Sequence, residues 1–201
     1  MNVRRERRDA VEHRRLILQT AQHLFEQHGV QSVSMHQIAK TAGIGQATLY
    51  RRYAHKGDLC GELLTDYSLS LIESISNYVR TNAALPPVER LGGVIDIWID
   101  ALEEKADMIA TMEARSDCDP RGNFFHTDMY MTMRDLISGL LGEMLAEYDL
   151  PRPVDKTLTA HALICSMLPP GYYHLKQEMG YSIEQIKQGY LEMCRLAASQ
   201  P

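Results

Sequence analysis

The sequence predicts an all-α chain of about nine helices: an N-terminal three-helix domain containing a helix-turn-helix, then a larger helical domain. Three observations point there. Apolar residues recur at helical spacing along most of the 201 residues, while the alternation of a half-buried strand is scarce. Gly, Pro and short polar clusters separate these stretches without forming a flexible linker, a repeat or a low-complexity tract. Charge is also uneven. Residues 1–56 hold ten Lys or Arg against four Asp or Glu, and residues 57–201 hold eleven against twenty-two, within a net charge of −5. A basic block on an acidic body suits a molecule that meets a polyanion with one end only. The boundary between the two domains is placed at 56/57.

The first helix carries Ile17, Ala21, Leu24, Phe25 and His28 on one face and stops at Gly29. Ser34 with Gln37 three residues later gives a capping-box start for a second helix ending near Ala42. Gly43 supplies a turn, Ile44 plugs the junction beneath it, and a third helix runs from about Gly45 to Tyr53. Leu59, Leu63, Tyr67, Leu71, Ile75 and Tyr78 mark a long fourth helix that ends before Pro86-Pro87. Val88 to Lys105 and Ala106 to Arg115 read as two more, followed by a loop, SDCDPRGN, at 116–123. Phe125, Met129, Met133, Leu136, Leu140, Met144 and Tyr148 define another long helix, stopped by Pro151 and Pro153. Residues 154–177 and 182–198 are the last two, and Pro169-Pro170 must kink or interrupt the first of them.

Composition narrows the setting. Cys60, Cys118, Cys165 and Cys194 lie far apart without a C-x-x-C spacing, which argues against zinc or a disulfide scaffold and fits a reducing cytosol. No apolar run approaches the roughly 20 residues of a membrane span. The N-terminal MNVRRERRDAVEHRR lacks the apolar segment of a signal peptide, so a cytoplasmic protein that does not contact membrane is expected. No H-E-x-x-H, G-x-S-x-G or phosphate-cradling glycine loop is present, and His126 with Asp128 is too loose a pair to suggest catalysis. Neither an enzyme nor a cofactor is expected.

Residues 34–56, SMHQIAKTAGIGQATLYRRYAHK, therefore stand out as two short helices about a glycine turn. A module of that shape lays its second helix in the major groove of double-stranded DNA while flanking groups grip phosphates. The segment QIAKTAGIGQATLYRRYAHKGDLCGELL resembles the signature of TetR-family transcriptional regulators through Ile38, Ala39, Ala42, Gly43, Leu49, Tyr50, Tyr53, Lys56 and Leu59. The resemblance covers roughly residues 14–63. Two positions depart from the pattern. Gly45 replaces the usual small hydroxyl residue at the start of the recognition helix, and His55 replaces the usual Ser or Asn cap of the fourth helix.

Gln46, Ala47 and Arg51 are the expected base readers: Gln pairs with adenine, Arg with guanine, and an Ala methyl packs on thymine. Thr48, Tyr50, Tyr53 and Lys56 are expected on phosphates, with Ser34, Thr41 and the Gly45 turn beside them. Arg4, Arg5, Arg7 and Arg8 are expected to form a disordered arm along the backbone or minor groove.

The resemblance further implies a small-molecule effector held among the middle helices. Candidate lining residues are Trp98, Met108, Met112, Phe124, Phe125, Tyr130, Met133, Cys165, Tyr172 and Tyr173, with Glu113, Arg115 and His161 as candidate polar anchors. Any single Met or aromatic at helical spacing is more often core than pocket. The final helices, carrying Leu158, Leu163, Leu168, Ile183, Ile186, Tyr190, Met193 and Ala197, are expected to form a two-fold homodimer interface. One short helix reads few bases, and two readers about 34–36 Å apart read successive turns of a palindromic operator. The expected function is a ligand-responsive repressor released by a largely apolar effector. An activator, or a redox regulator sensing through Cys118, are the alternatives.

Overall fold

The computed structural model describes residues 2–114, 124–146 and 154–198, with side chains between residues 11 and 195 of those ranges. The expected 116–123 loop, Arg115, Cys118, Tyr148, Pro151 and Pro153 lie outside the described residues, as does the side chain of Ala197. Among the described residues the chain is helical and contains no strand.

Helix α1 (Asn2–His28), α2 (Met35–Thr41), α3 (Gln46–Arg52) and α4 (Lys56–Thr81) open the chain. Then come α5 (Pro87–Glu104), α6 (Ala106–Glu113), α7 (Asp128–Leu145), α8 (Lys156–Ser166), α9 (Pro169–Tyr173) and α10 (Ile183–Ala198). The expected disordered arm is instead the first part of α1, since Arg4, Arg5, Arg7 and Arg8 fall on its helical backbone.

The chain packs as two compact units. One holds the residues through Tyr67 together with α6, and the other holds Ser68–Glu104 and the described residues from Phe124 onward. In the first, Ile17, Ala21, Leu24 and Phe25 of α1 meet Ile38 and Ala39 of α2, Leu49 of α3, and Leu59, Cys60 and Leu63 of α4. Ile44, Met108 and Met112 pack against that core. The turn between α2 and α3 is tight: Gly43 N donates to Lys40 O at 3.2 Å and Ile44 N to Ala39 O at 3.0 Å. Gly43 has φ +67°, a conformation that costs a Cβ-bearing residue free energy.

In the second unit α5 lies against α7 and α10, and α7 against α8. Leu91, Ile95 and Ile99 of α5, Ile137 and Leu140 of α7, and Ala160 and Ile164 of α8 are essentially without exposure. Trp98 is buried here, its Nε1 donating to Met167 O at 3.1 Å where α8 ends.

Pro169-Pro170 acts as a restart rather than a kink. α8 stops at Ser166, and the prolines occupy the first positions of α9, where a missing N–H costs nothing. Gly171 is required there, because a Cβ would stand 2.7 Å from Ser166 O. α9 then runs into a π-helical turn at His174–Glu178. Helix α7 begins later than its apolar spacing suggested. Thr127 caps it, accepting from Tyr130 N at 3.2 Å, which leaves Phe125 before the helix.

Candidate nucleic-acid interface and effector cluster

Helix α3 is anchored by one side. Leu49 has no exposure and Tyr53, one turn later, is 3% exposed. Gln46, Ala47, Tyr50 and Arg51 are exposed and form two neighbouring rows one turn long, 46 with 50 and 47 with 51. Arg52 is exposed as well, with its guanidinium carbon 6.0 Å from the centroid of the Tyr53 ring. Thr48 is half-buried. Gly45 caps α3 with extended backbone and no side-chain bond, its carbonyl accepting from Thr48 N at 2.9 Å and Leu49 N at 3.2 Å. Ser34 caps α2, its Oγ accepting from Gln37 N at 3.1 Å, and Thr41 is exposed at the other end of that helix.

Two residues expected on phosphates are engaged inside the protein. The Tyr53 hydroxyl donates to Glu62 on α4, and Arg14 of α1 donates to the other oxygen of the same carboxylate. Burial, with the Glu62 carboxylate beside it, pushes the Tyr53 phenol up to about 12 and keeps it protonated. The Lys56 ammonium donates to Val30 O at 2.7 Å and Val33 O at 3.0 Å, tying the start of α4 to the segment before α2. The expected phosphate role of Tyr53 is corrected on this ground: its ring is buried and its hydroxyl is bonded to a carboxylate. Lys56 acts first as a brace.

Sequence reading missed three residues of this face. Glu62 and Arg14 gave no signal, being charges on otherwise ordinary helices. Asp58 replaces the missing cap at His55 by accepting from His55 N at 2.9 Å, a spacing that the sequence does display.

The expected effector residues separate into groups. Phe124, Phe125 and Tyr130 meet edge-on, with centroids 5.3–5.7 Å apart, and the His161 ring lies 5.5 Å from Phe125. Tyr130 Oη and His161 Nδ1 are 2.7 Å apart, and Cys165 Sγ is 3.5 Å from His161 Nε2. Trp98, Tyr172 and Tyr173 have their polar atoms occupied elsewhere. Tyr172 Oη donates to Glu103 Oε1 at 2.7 Å and Tyr173 Oη to Leu102 O at 2.9 Å. Lys176 also donates to Glu103. Met133 is buried in α7. Met108 and Met112, half-buried, pack against the core of the first unit. A separate surface depression, lined by Ser70, Glu73, Ser74, Ser76, Asn77 and Arg80 of α4, contains none of the expected residues.

Residues 17–63 match the pattern of the family described as bacterial regulatory proteins, tetR family. That match runs from Ile17 in α1 to Leu63 in α4 and makes this part of the chain similar to the family. An HTH-type transcriptional regulator of Staphylococcus aureus is 50% identical over 54 residues, which is 27% of this chain and 29% of that protein. The aligned part thus spans under a third of the curated relative. Two solved structures extend the likeness in fold alone. FadR of Thermus thermophilus, a TetR-family repressor in complex with lauroyl-CoA, has a TM-score of 0.59 at 18% identity over 92% of both chains. A putative transcriptional regulator of Saccharomonospora viridis in complex with choline has a TM-score of 0.64 at 21% identity over 92% of this chain and 96% of that one.

The TetR-family match therefore ends inside α4, and the helices beyond it share architecture with those relatives but little sequence. The family is one of regulators and not of enzymes. Among the described residues no helix is long and apolar enough to cross a membrane.

Proposed function

We propose that this chain is a homodimeric, ligand-responsive repressor of the TetR family that reads a palindromic operator and is released by a small, largely apolar effector. In this reading residues 1–56 bind DNA, while residues 57–201 bind the effector and dimerise. The observation carrying it is the exposed Gln46, Ala47, Tyr50, Arg51 face on a helix whose opposite side is locked into the core. Gln and Arg supply base-edge hydrogen bonds, and Tyr50, Thr48, Thr41 and Lys40 border them with donors for phosphate.

Phe124, Phe125 and Tyr130, edged by His161 and Cys165, are the best-gathered candidate effector site, offering apolar rings and a small polar rim. The lauroyl-CoA and choline carried by two proteins of this fold support a small-molecule effector for it. An effector with greater affinity for one reader spacing shifts the population toward it, so no covalent chemistry is required of the protein. The described cysteines do not favour a redox alternative. Burial pushes the Cys60 and Cys194 thiols up to about 11 and raises that of Cys165, which lowers the reactive thiolate fraction.

Selection of bound DNA from a random pool tests the reading. An enriched inverted repeat is expected, with Arg51→Ala losing preference at particular bases by about 1–3 kcal/mol. Absence of any enriched sequence would refute it.

A further inference from the structure

Gln46 is already held before any DNA arrives. Its Nε2 donates to Nδ1 of His36, the second residue of α2. Both side chains are exposed, but their backbones are fixed from beneath by Met35, Ile38 and Ala39 on α2 and by Leu49 on α3. The Ile44 N to Ala39 O bond sets the turn between the two helices. An amide nitrogen only donates, so Nδ1 is the acceptor and the imidazole carries its hydrogen on Nε2. One N–H and Oε1 then remain on Gln46. Those are the two groups that pair with N7 and N6 of adenine. A Gln side chain held in this way loses less rotamer freedom on docking than a free one.

We propose that His36 is a specificity-determining positioning residue that orients the Gln46 amide to read adenine. The proposal rests on the reading of α3 as the base-contacting helix. His36 needs no contact with DNA of its own for this role. Its effect passes through Gln46, so it concerns one base pair of each half-site and not the affinity for DNA in general.

The test uses the full-length protein and DNA duplexes derived from its selected site, with the Gln46 position identified as the base pair at which Gln46→Ala loses preference. At that pair, His36→Ala is expected to reduce the preference for adenine over other bases by about three- to tenfold. Affinity for unrelated DNA and the salt dependence of binding should be unchanged. His36→Asn, whose Oδ1 can accept the same hydrogen bond, is expected to restore most of the preference. In the Gln46→Ala background, His36→Ala should have no further effect.

A uniform loss of affinity across sequences would overturn the proposal by making His36 a phosphate contact. An effect that persists without Gln46, or no effect at all, would overturn it equally. If the unmodified protein selects no DNA sequence, the reading of α3 fails and takes the proposal with it; a selected site with an indifferent His36→Ala defeats the proposal alone.

Discussion

At Tyr53 a hydroxyl that the sequence offers to a phosphate is bonded to Glu62, and the ring beneath it fills the core. Tyr53→Phe deletes one hydrogen bond to a partly screened carboxylate and leaves the ring in place. It should lower stability by about 1–2 kcal/mol in urea unfolding. Operator affinity should stay within about twofold, whereas a phosphate contact would reveal itself as a larger loss, similar on every DNA sequence. The burial was legible: Leu49 and Tyr53 are one turn apart and share a face, and Leu49 is plainly core. The polar tip of the tyrosine drew the functional expectation away from its ring. Glu103 gives a second residue-scale prediction. Burial opposes its ionisation, but hydrogen bonds from Lys176 and Tyr172 prevail and hold its carboxyl below the usual 4.5. A carboxyl depressed in the folded state stabilises the protein above its unfolded pKa, and that contribution is lost as pH falls through the folded value. The stability gap between the natural protein and Glu103→Gln should therefore be full at neutral pH and shrink below about pH 4.5 in unfolding titrations.

At the scale of elements, local chemistry was the legible part. Ser34 caps α2 and Gly43 makes the turn as read from the sequence, because a cap or turn depends on a few adjacent residues. Elements that depend on distant contacts were not legible. Phe125 continues the apolar spacing of α7 yet sits before it, since Thr127 takes the cap and the aromatic cluster holds the ring. The π turn after α9 has no sequence signature beside it, and the close approach of Gly171 to Ser166 becomes visible only in three dimensions. Gly171→Ala should cost about 1–3 kcal/mol in thermal unfolding, because backbone must move to admit the methyl. Gly45→Ser should act in the opposite direction. The nearest atom to a Cβ there is Thr48 Oγ1 at 3.8 Å, so a hydroxyl fits and should stabilise α3 by a few tenths of a kcal/mol, read as a higher Tm.

At the scale of the whole molecule, the all-α class followed from periodicity, but the number and grouping of the helices did not: the stretch read as one helix at 154–177 is α8, α9 and a π turn. Lys105 alone separates α5 from α6, yet α6 packs with the first unit, where Met108 and Met112 rest against its core. The expected dimer face is thinned for a similar reason. Leu163, Ile186 and Tyr190 are buried within the chain itself, while Leu158 and Met193 are 64% and 46% exposed. In the proposed homodimer these two exposed residues carry the contact. Leu158→Glu with Met193→Glu should leave helical content unchanged, give a monomer in sedimentation at micromolar concentration, and weaken operator binding by at least about a hundredfold, since one short reader contacts too few bases. The proposal that two protomers read one operator is tested most directly by hydroxyl-radical footprinting of the protein on its selected DNA, with binding stoichiometry measured in the same solution. The account predicts two protomers per duplex and two protected half-sites related by a dyad, about one helical turn or a multiple of it apart. A single protected patch bound by one protomer would contradict it.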